Sequence, residues 1–201
     1  MSNIIYIHGY DSCADPESEK VRMLGEMTDE IFLVDTKGRY DPSAYLSEIQ
    51  KIIFQEGEPS FFVGTSLGGF WAWMSSIKYQ VPFVSLNPVV NPYVQLKDIM
   101  DETELATYEN LKIPEPFYSI PGLIVLSEND PVLDSKMTED FFFRTSSLIL
   151  NIAGSASHSL SDLSDFPHYM EFVRNYIKTD ALREYIYHEE SESYRDNGEE
   201  E

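Results

Sequence analysis

Short runs of apolar, β-branched and aromatic residues recur along this chain, separated by stretches whose apolar positions fall at helical spacing. The runs at 3–7, 31–34, 60–65, 82–86, 122–127 and 147–151 have strand composition. Between or after them, 17–28, 43–55, 68–79, 135–144 and 164–178 read as helices. Strands alternating with helices predict an α/β architecture: a mostly parallel sheet with helices on both faces, joined by right-handed crossovers. No internal repeat is visible. One connection breaks the alternation. Residues 87–118 hold Pro88, Pro92, Pro114 and Pro116, with a short helix expected around 96–110.

Composition narrows the picture. A chain of 201 residues, 42% hydrophobic and 13% aromatic, suffices for one full core and would be stretched by two. Residues 1–180 are therefore expected to form a single domain. Beyond them the character changes: Glu189–Glu201 carries seven carboxylates against Arg195 and no large aliphatic residue. Such a segment cannot bury enough surface to offset its ordering entropy, so 181–201 is expected to be an acidic, disordered tail. The single cysteine, Cys13, leaves no intramolecular disulfide and no cysteine metal cluster. Apolar runs stop well short of the roughly 20 residues a bilayer requires. The N-terminus enters a strand without a signal-type apolar stretch, so the expectation is a cytoplasmic protein that does not bind membranes. Net charge is −21, from 35 acidic and 14 basic residues. That field repels nucleic acid and anionic membranes and disfavours highly anionic substrates.

The chemistry starts at Gly64-Thr65-Ser66-Leu67-Gly68, which ends one strand and opens the Phe70-Trp71-Ala72-Trp73 helix. Gly-x-Ser-x-Gly at a strand-to-helix turn is the nucleophile elbow of the α/β-hydrolases: a serine in a strained conformation, with close backbone approach around it. His8-Gly9-Tyr10 follows the first strand, as an oxyanion loop does. The expected donors are the backbone N–H groups of Tyr10 and Leu67, with His8 bracing the loop. In such folds the acid and base follow the serine in that order. Asp130 leaves the end of the 122–127 strand, whereas Asp134 directly precedes a helix and reads as its N-cap. Of the four histidines, His158 lies on a loop past the 147–151 strand, where a base can reach the serine. His168 falls within the 164–178 helix and is the reserve.

Four blocks then bear a family resemblance. Ile5-Tyr6-Ile7-His8-Gly9-Tyr10-Asp11-Ser12, Gly64–Phe70, Leu86-Asn87-Pro88-Val89-Val90-Asn91-Pro92-Tyr93 and Asp130-Pro131-Val132-Leu133-Asp134 stand in order along about 4–178. Together they resemble the YqiA-type small bacterial esterases of the α/β-hydrolase superfamily. The resemblance implies a single-domain serine esterase or thioesterase without cofactor or metal, with Ser66 as nucleophile, Asp130 as acid and His158 as base. Its histidine loop departs from that pattern, since Gly154 stands four residues ahead of His158. Insertions at 87–118 form lids in this superfamily, which would place Tyr93, Tyr108, Phe117 and Tyr118 around an acyl pocket. The competing expectation is a packed excursion whose aromatics cover the core.

The expected activity is hydrolysis of a small acyl ester or thioester through an acyl-enzyme. A rival expectation keeps the fold and works by binding a basic protein partner through the acidic surface or tail.

Overall fold

The computed structural model describes residues 3–114, 120, 122–143, 145, 147–152, 157, 158, 160 and 171. The helix expected at 164–178, apart from Glu171, and the acidic tail lie outside the described residues. So do Phe117 and Tyr118.

The described chain forms a six-stranded, all-parallel sheet. Its strands are β1 (Asn3–Ile7), β2 (Glu30–Val34), β3 (Phe61–Thr65), β4 (Phe83–Leu86), β5 (Gly122–Ser127) and β6 (Ser147–Ile152). They lie in the order β2-β1-β3-β4-β5-β6. The chain thus starts inside the sheet, steps out to β2, then proceeds strand by strand the other way. Four helices follow the expected pattern: α1 (Glu19–Gly25), α2 (Pro42–Glu56), α3 (Leu67–Tyr79) and α6 (Ser135–Phe142). The two short helices α4 (Pro92–Gln95) and α5 (Glu102–Ala106) lie in the 87–118 connection.

Alternation along the strands sorts their side chains onto two faces. Ile5, Ile7, Phe62, Phe83, Ile124 and Leu126 join Tyr45 and Ile49 of α2, Trp71 and Trp73 of α3 and Phe142 of α6 in one core. Ile4, Tyr6, Phe61, Val63, Val84 and Val125 pack on the other face with Val21 and Leu24 of α1. β3 is buried at every position, as a central strand covered on both sides should be.

Local chemistry sets the helix starts. Asp41 accepts hydrogen bonds from the Ser43 and Ala44 N–H groups, with Pro42 opening α2. Asp134 accepts from Lys136 and Met137 at 2.9 and 3.4 Å and caps α6, as its place before that helix predicts. The helix expected over 96–110 is shorter, α5 alone, and α4 precedes that range; each has its own cap. Asn91 takes the Val94 N–H and starts α4, while Asp101 takes the Thr103 N–H and restarts the chain as α5. Between and around them Val89, Val90, Leu96, Met100 and Tyr108 enter the first core. Among the described residues no helix is long and apolar enough to cross a membrane.

Candidate active site

Ser66 stands between the last residue of β3 and the first of α3, with φ 55° and ψ −121°. A non-glycine residue there is strained by about 1–3 kcal/mol, so its surroundings must hold it. They do so through the backbone. Ser66 N–H donates to Leu86 O at 2.9 Å, and Ser66 O accepts from Val89 and Phe70 N–H, both at 3.2 Å. The two glycines of the motif make the turn sterically feasible. A Cβ on Gly64 would lie 2.1 Å from Gly68 O. A Cβ on Gly68 would lie 2.1 Å from Ile7 O, so its obstacle is the end of β1 rather than Gly64. Neither clash is with a flexible side chain. Gly64→Ala or Gly68→Ala is therefore expected to lower stability by more than about 3 kcal/mol, the upper range of ordinary overpacking. Urea denaturation checks this, and a midpoint close to wild type would contradict the packing described.

The sheet brings three candidate residues together at the carboxyl ends of its strands. His158 Nε2 lies 2.9 Å from Ser66 Oγ, and His158 Nδ1 lies 2.7 Å from Asp130 Oδ2. The other carboxylate oxygen, Oδ1, accepts the N–H groups of Val132 and Leu133 at 2.8 and 3.0 Å. The Asp130 side chain is 1% exposed, that of His158 21%. Burial by itself pushes the Asp130 carboxyl up. The hydrogen bond from His158 and the two backbone bonds outweigh it and hold the group below the ordinary carboxylate range. An ionised carboxylate only accepts, so Nδ1 carries the shared proton and Nε2 is left to accept from the Ser66 hydroxyl.

A measurable consequence follows for acid stability. A carboxyl whose folded pKa lies below its unfolded value of about 4 stabilises the fold above that pH. The contribution is lost as pH falls through the depressed folded value. Asp130→Asn is expected to lose stability less steeply than wild type below about pH 4. Urea midpoints measured across that range check it, and identical slopes would contradict an ionised Asp130.

The loop after β1 lies against the serine: a Cβ on Gly9 would be 3.2 Å from Ser66 Cβ and 3.8 Å from its Oγ. His8 is 2% exposed, donates from Nδ1 to Gly9 O at 2.9 Å and turns Nε2 toward Thr36 Oγ1 at 3.5 Å. Burial, partly opposed by the Gly9 bond and by Asp35, lowers its pKa and favours the neutral ring. Tyr10 follows, its ring 4.7 Å from that of Tyr40 and its hydroxyl accepting the Asp101 N–H at 3.3 Å. Tyr40 in turn donates to Ser12 O at 3.0 Å, which ties the loop to the connection between β2 and α2. On the other side of Ser66, the hydrogen-bond ladder of α3 begins with Phe70 N–H. The Leu67 N–H therefore stands outside that ladder at the positive end of the helix.

Of the residues expected around an acyl pocket, Tyr93 is 39% exposed on α4. Tyr108 requires correction. It is 3% exposed, its hydroxyl donates to Tyr40 O at 2.5 Å and accepts from Trp71 Nε1 at 3.3 Å. Those bonds and its burial assign it to the core. A cleft of about 510 Å³ is lined by Val90, Asn91, Ile113, Pro114, Met137, Asp140 and Phe141, and none of Ser66, Asp130 and His158 is in its wall. It lies one residue beyond Val89, which hydrogen-bonds Ser66, and against α6, whose Thr138 donates to Pro88 O at 3.1 Å. Met137 and Phe141 sit one helical turn apart on α6, the spacing that could have marked this lining in the sequence. The sequence reading also assigned no role to Asn87, although it is in contact with the histidine loop.

The family described as "Uncharacterised protein family (UPF0227)" matches residues 3–174. A UPF0227 protein of Serratia proteamaculans is 28% identical over 172 residues, covering 82% of this chain and 93% of its own length. One from Yersinia enterocolitica is 32% identical over 142 residues, covering 67% and 79%. Among solved structures, mouse alpha/beta hydrolase domain-containing protein 10 superposes with a TM-score of 0.70 at 12% identity, over 87% of this chain and 90% of its own. Est1E from Butyrivibrio proteoclasticus gives 0.69 at 16% identity, over 88% and 86%. An esterase from Exiguobacterium antarcticum gives 0.67 at 13% identity, over 87% and 92%. At such identities these structures establish the α/β-hydrolase fold. Its sequence blocks and the family match agree, and the chain belongs to the UPF0227 family.

Proposed function

We propose that this protein is a serine hydrolase that cleaves acyl esters or thioesters through a covalent acyl-enzyme. The observation that carries the reading is the hydrogen-bonded chain from Asp130 through His158 to Ser66. Ser66 Oγ attacks the acyl carbonyl while His158 Nε2 takes its proton. Asp130 holds the imidazole in the required tautomer and stabilises the imidazolium. Negative charge gathers on the carbonyl oxygen, where the N–H groups of Tyr10 and Leu67 are suited to receive it. Each such donor is worth about 10²–10³ in rate. The tetrahedral adduct collapses as His158 passes its proton to the leaving alkoxide or thiolate. Water, deprotonated by the same nitrogen, then attacks the ester of Ser66 and releases the acid.

The substrate is small and uncharged near the reacting carbonyl. Val90, which follows the Ser66-bonded Val89, lines a cleft with Ile113, Met137 and Phe141 that would suit an apolar group, and Asp140 in the same lining disfavours an anion. A net charge of −21 adds a penalty for anionic substrates. Est1E has been solved with ferulic acid bound, which supports an organic acid as the product class in a site of this fold. The test is a panel of p-nitrophenyl esters and matched thioesters of increasing acyl length, run beside Ser66→Ala as the blank. Turnover above that blank supports the reading. A wild-type protein no faster than Ser66→Ala on every member would contradict it.

A further inference from the structure

The loop that carries His158 follows the end of β6 and must present an imidazole to a serine 92 residues away in sequence. Among the described residues Asn87 is one of its anchors. This residue directly follows β4 with φ 43°, a left-handed conformation that asparagine tolerates better than most side chains. It is 2% exposed. Its backbone N–H donates to Val125 O at 2.7 Å, and its Oδ1 accepts the Ser127 N–H at 2.7 Å, which joins it to β5. Its Nδ2 faces the histidine loop and donates to His158 O at 2.8 Å and Ser157 O at 3.1 Å, with Ser127 Oγ at 3.0 Å. Ser127 Oγ donates in turn to Ser157 O at 2.7 Å. The carboxamide thus reads the acid strand with its oxygen and the base loop with its nitrogen.

From this we infer that Asn87 is a positioning residue. Its carboxamide fixes the main chain at Ser157 and His158 to the end of β5, so that the ring spans Asp130 and Ser66. The inference rests on the proposed roles of Ser66 and His158. A donor is required where Nδ2 stands, because two carbonyl oxygens converge there. An aspartate of the same shape would set a carboxylate oxygen against both. Displacing a general base by about 1 Å costs on the order of 10² in rate without changing how substrate is held.

The test compares kcat and KM on one p-nitrophenyl ester for the full chain and four variants. These are Asn87→Gly, which keeps the backbone conformation, Asn87→Asp, His158→Ala and Asn87→Gly combined with His158→Ala. Thermal denaturation accompanies each. Both Asn87 variants are expected to lose about 10²-fold in kcat with KM within about threefold of wild type. The double variant is expected to be no slower than His158→Ala alone, since a residue acting through the imidazole has no effect once the imidazole is gone. Should Asn87→Gly fail to fold, Asn87→Asp keeps the bond to the Ser127 N–H and carries the same comparison, alone and combined with His158→Ala. An Asn87 variant with wild-type kcat beside an inactive His158→Ala would overturn this role and leave the site reading standing. So would a double variant that falls by the full factor again. A fully active His158→Ala would overturn the site reading itself, and this inference with it.

Discussion

Ser66→Ala is expected to reduce hydrolysis of any acyl ester the protein accepts by about 10⁶-fold, to the level left by binding and the oxyanion donors alone. The variant keeps Cβ, so the left-handed backbone at the elbow and its bonds to Leu86, Val89 and Phe70 persist. It loses one hydroxyl and the 2.9 Å bond to His158 Nε2. Stability should therefore change by no more than about 1 kcal/mol, the worth of one hydrogen bond. Initial rates and a urea midpoint on the same preparation separate the two effects. Retained turnover in a folded variant would remove the serine from the chemistry, whereas loss of both would show that the substitution had damaged the elbow.

His158→Ala is expected to cost about 10⁴-fold or more in kcat, because the serine keeps its place but has no group to accept its proton. The ring lies 2.9 Å from Ser66 Oγ and 2.7 Å from Asp130 Oδ2, and both contacts go together. Asp130→Asn should weaken the same step by disturbing the tautomer. His168→Ala, on the segment the sequence reads as a terminal helix, is expected to cost little. Assaying the two histidine variants on one ester decides the matter, and the reverse ranking would contradict the assignment.

The strands and the site were legible in the sequence for different reasons. Strands buried on both faces need near-continuous apolar runs, so Phe61–Thr65 and Gly122–Ser127 declared themselves through composition. Ser66 was legible because an elbow has no room for side chains at positions 64 and 68, a constraint that leaves glycines behind. Asp130 and Asp134 were separable through helix capping, which is local chemistry and reads from the residues that follow. Long-range partnerships left no such trace. Tyr108 looked like pocket lining among prolines and aromatics, yet its hydroxyl binds Trp71 and Tyr40, 37 and 68 residues away. The role of Asn87 depends on residues 40, 70 and 71 positions further on. The helix expected at 96–110 contains α5 but begins before its Asp101 cap, and α4, capped by Asn91, falls outside that expectation.

The central claim is that Ser66 is a nucleophile activated by His158. A fluorophosphonate phosphorylates such a serine and spares ordinary hydroxyls, since only an activated oxygen displaces fluoride at neutral pH. The most direct test is the intact mass of the full chain after exposure to the reagent, followed by peptide mapping. The account predicts one adduct per chain, on the peptide containing Ser66, absent from Ser66→Ala and formed far more slowly in His158→Ala. A chain that stays unlabelled, or one labelled equally in Ser66→Ala, would contradict it.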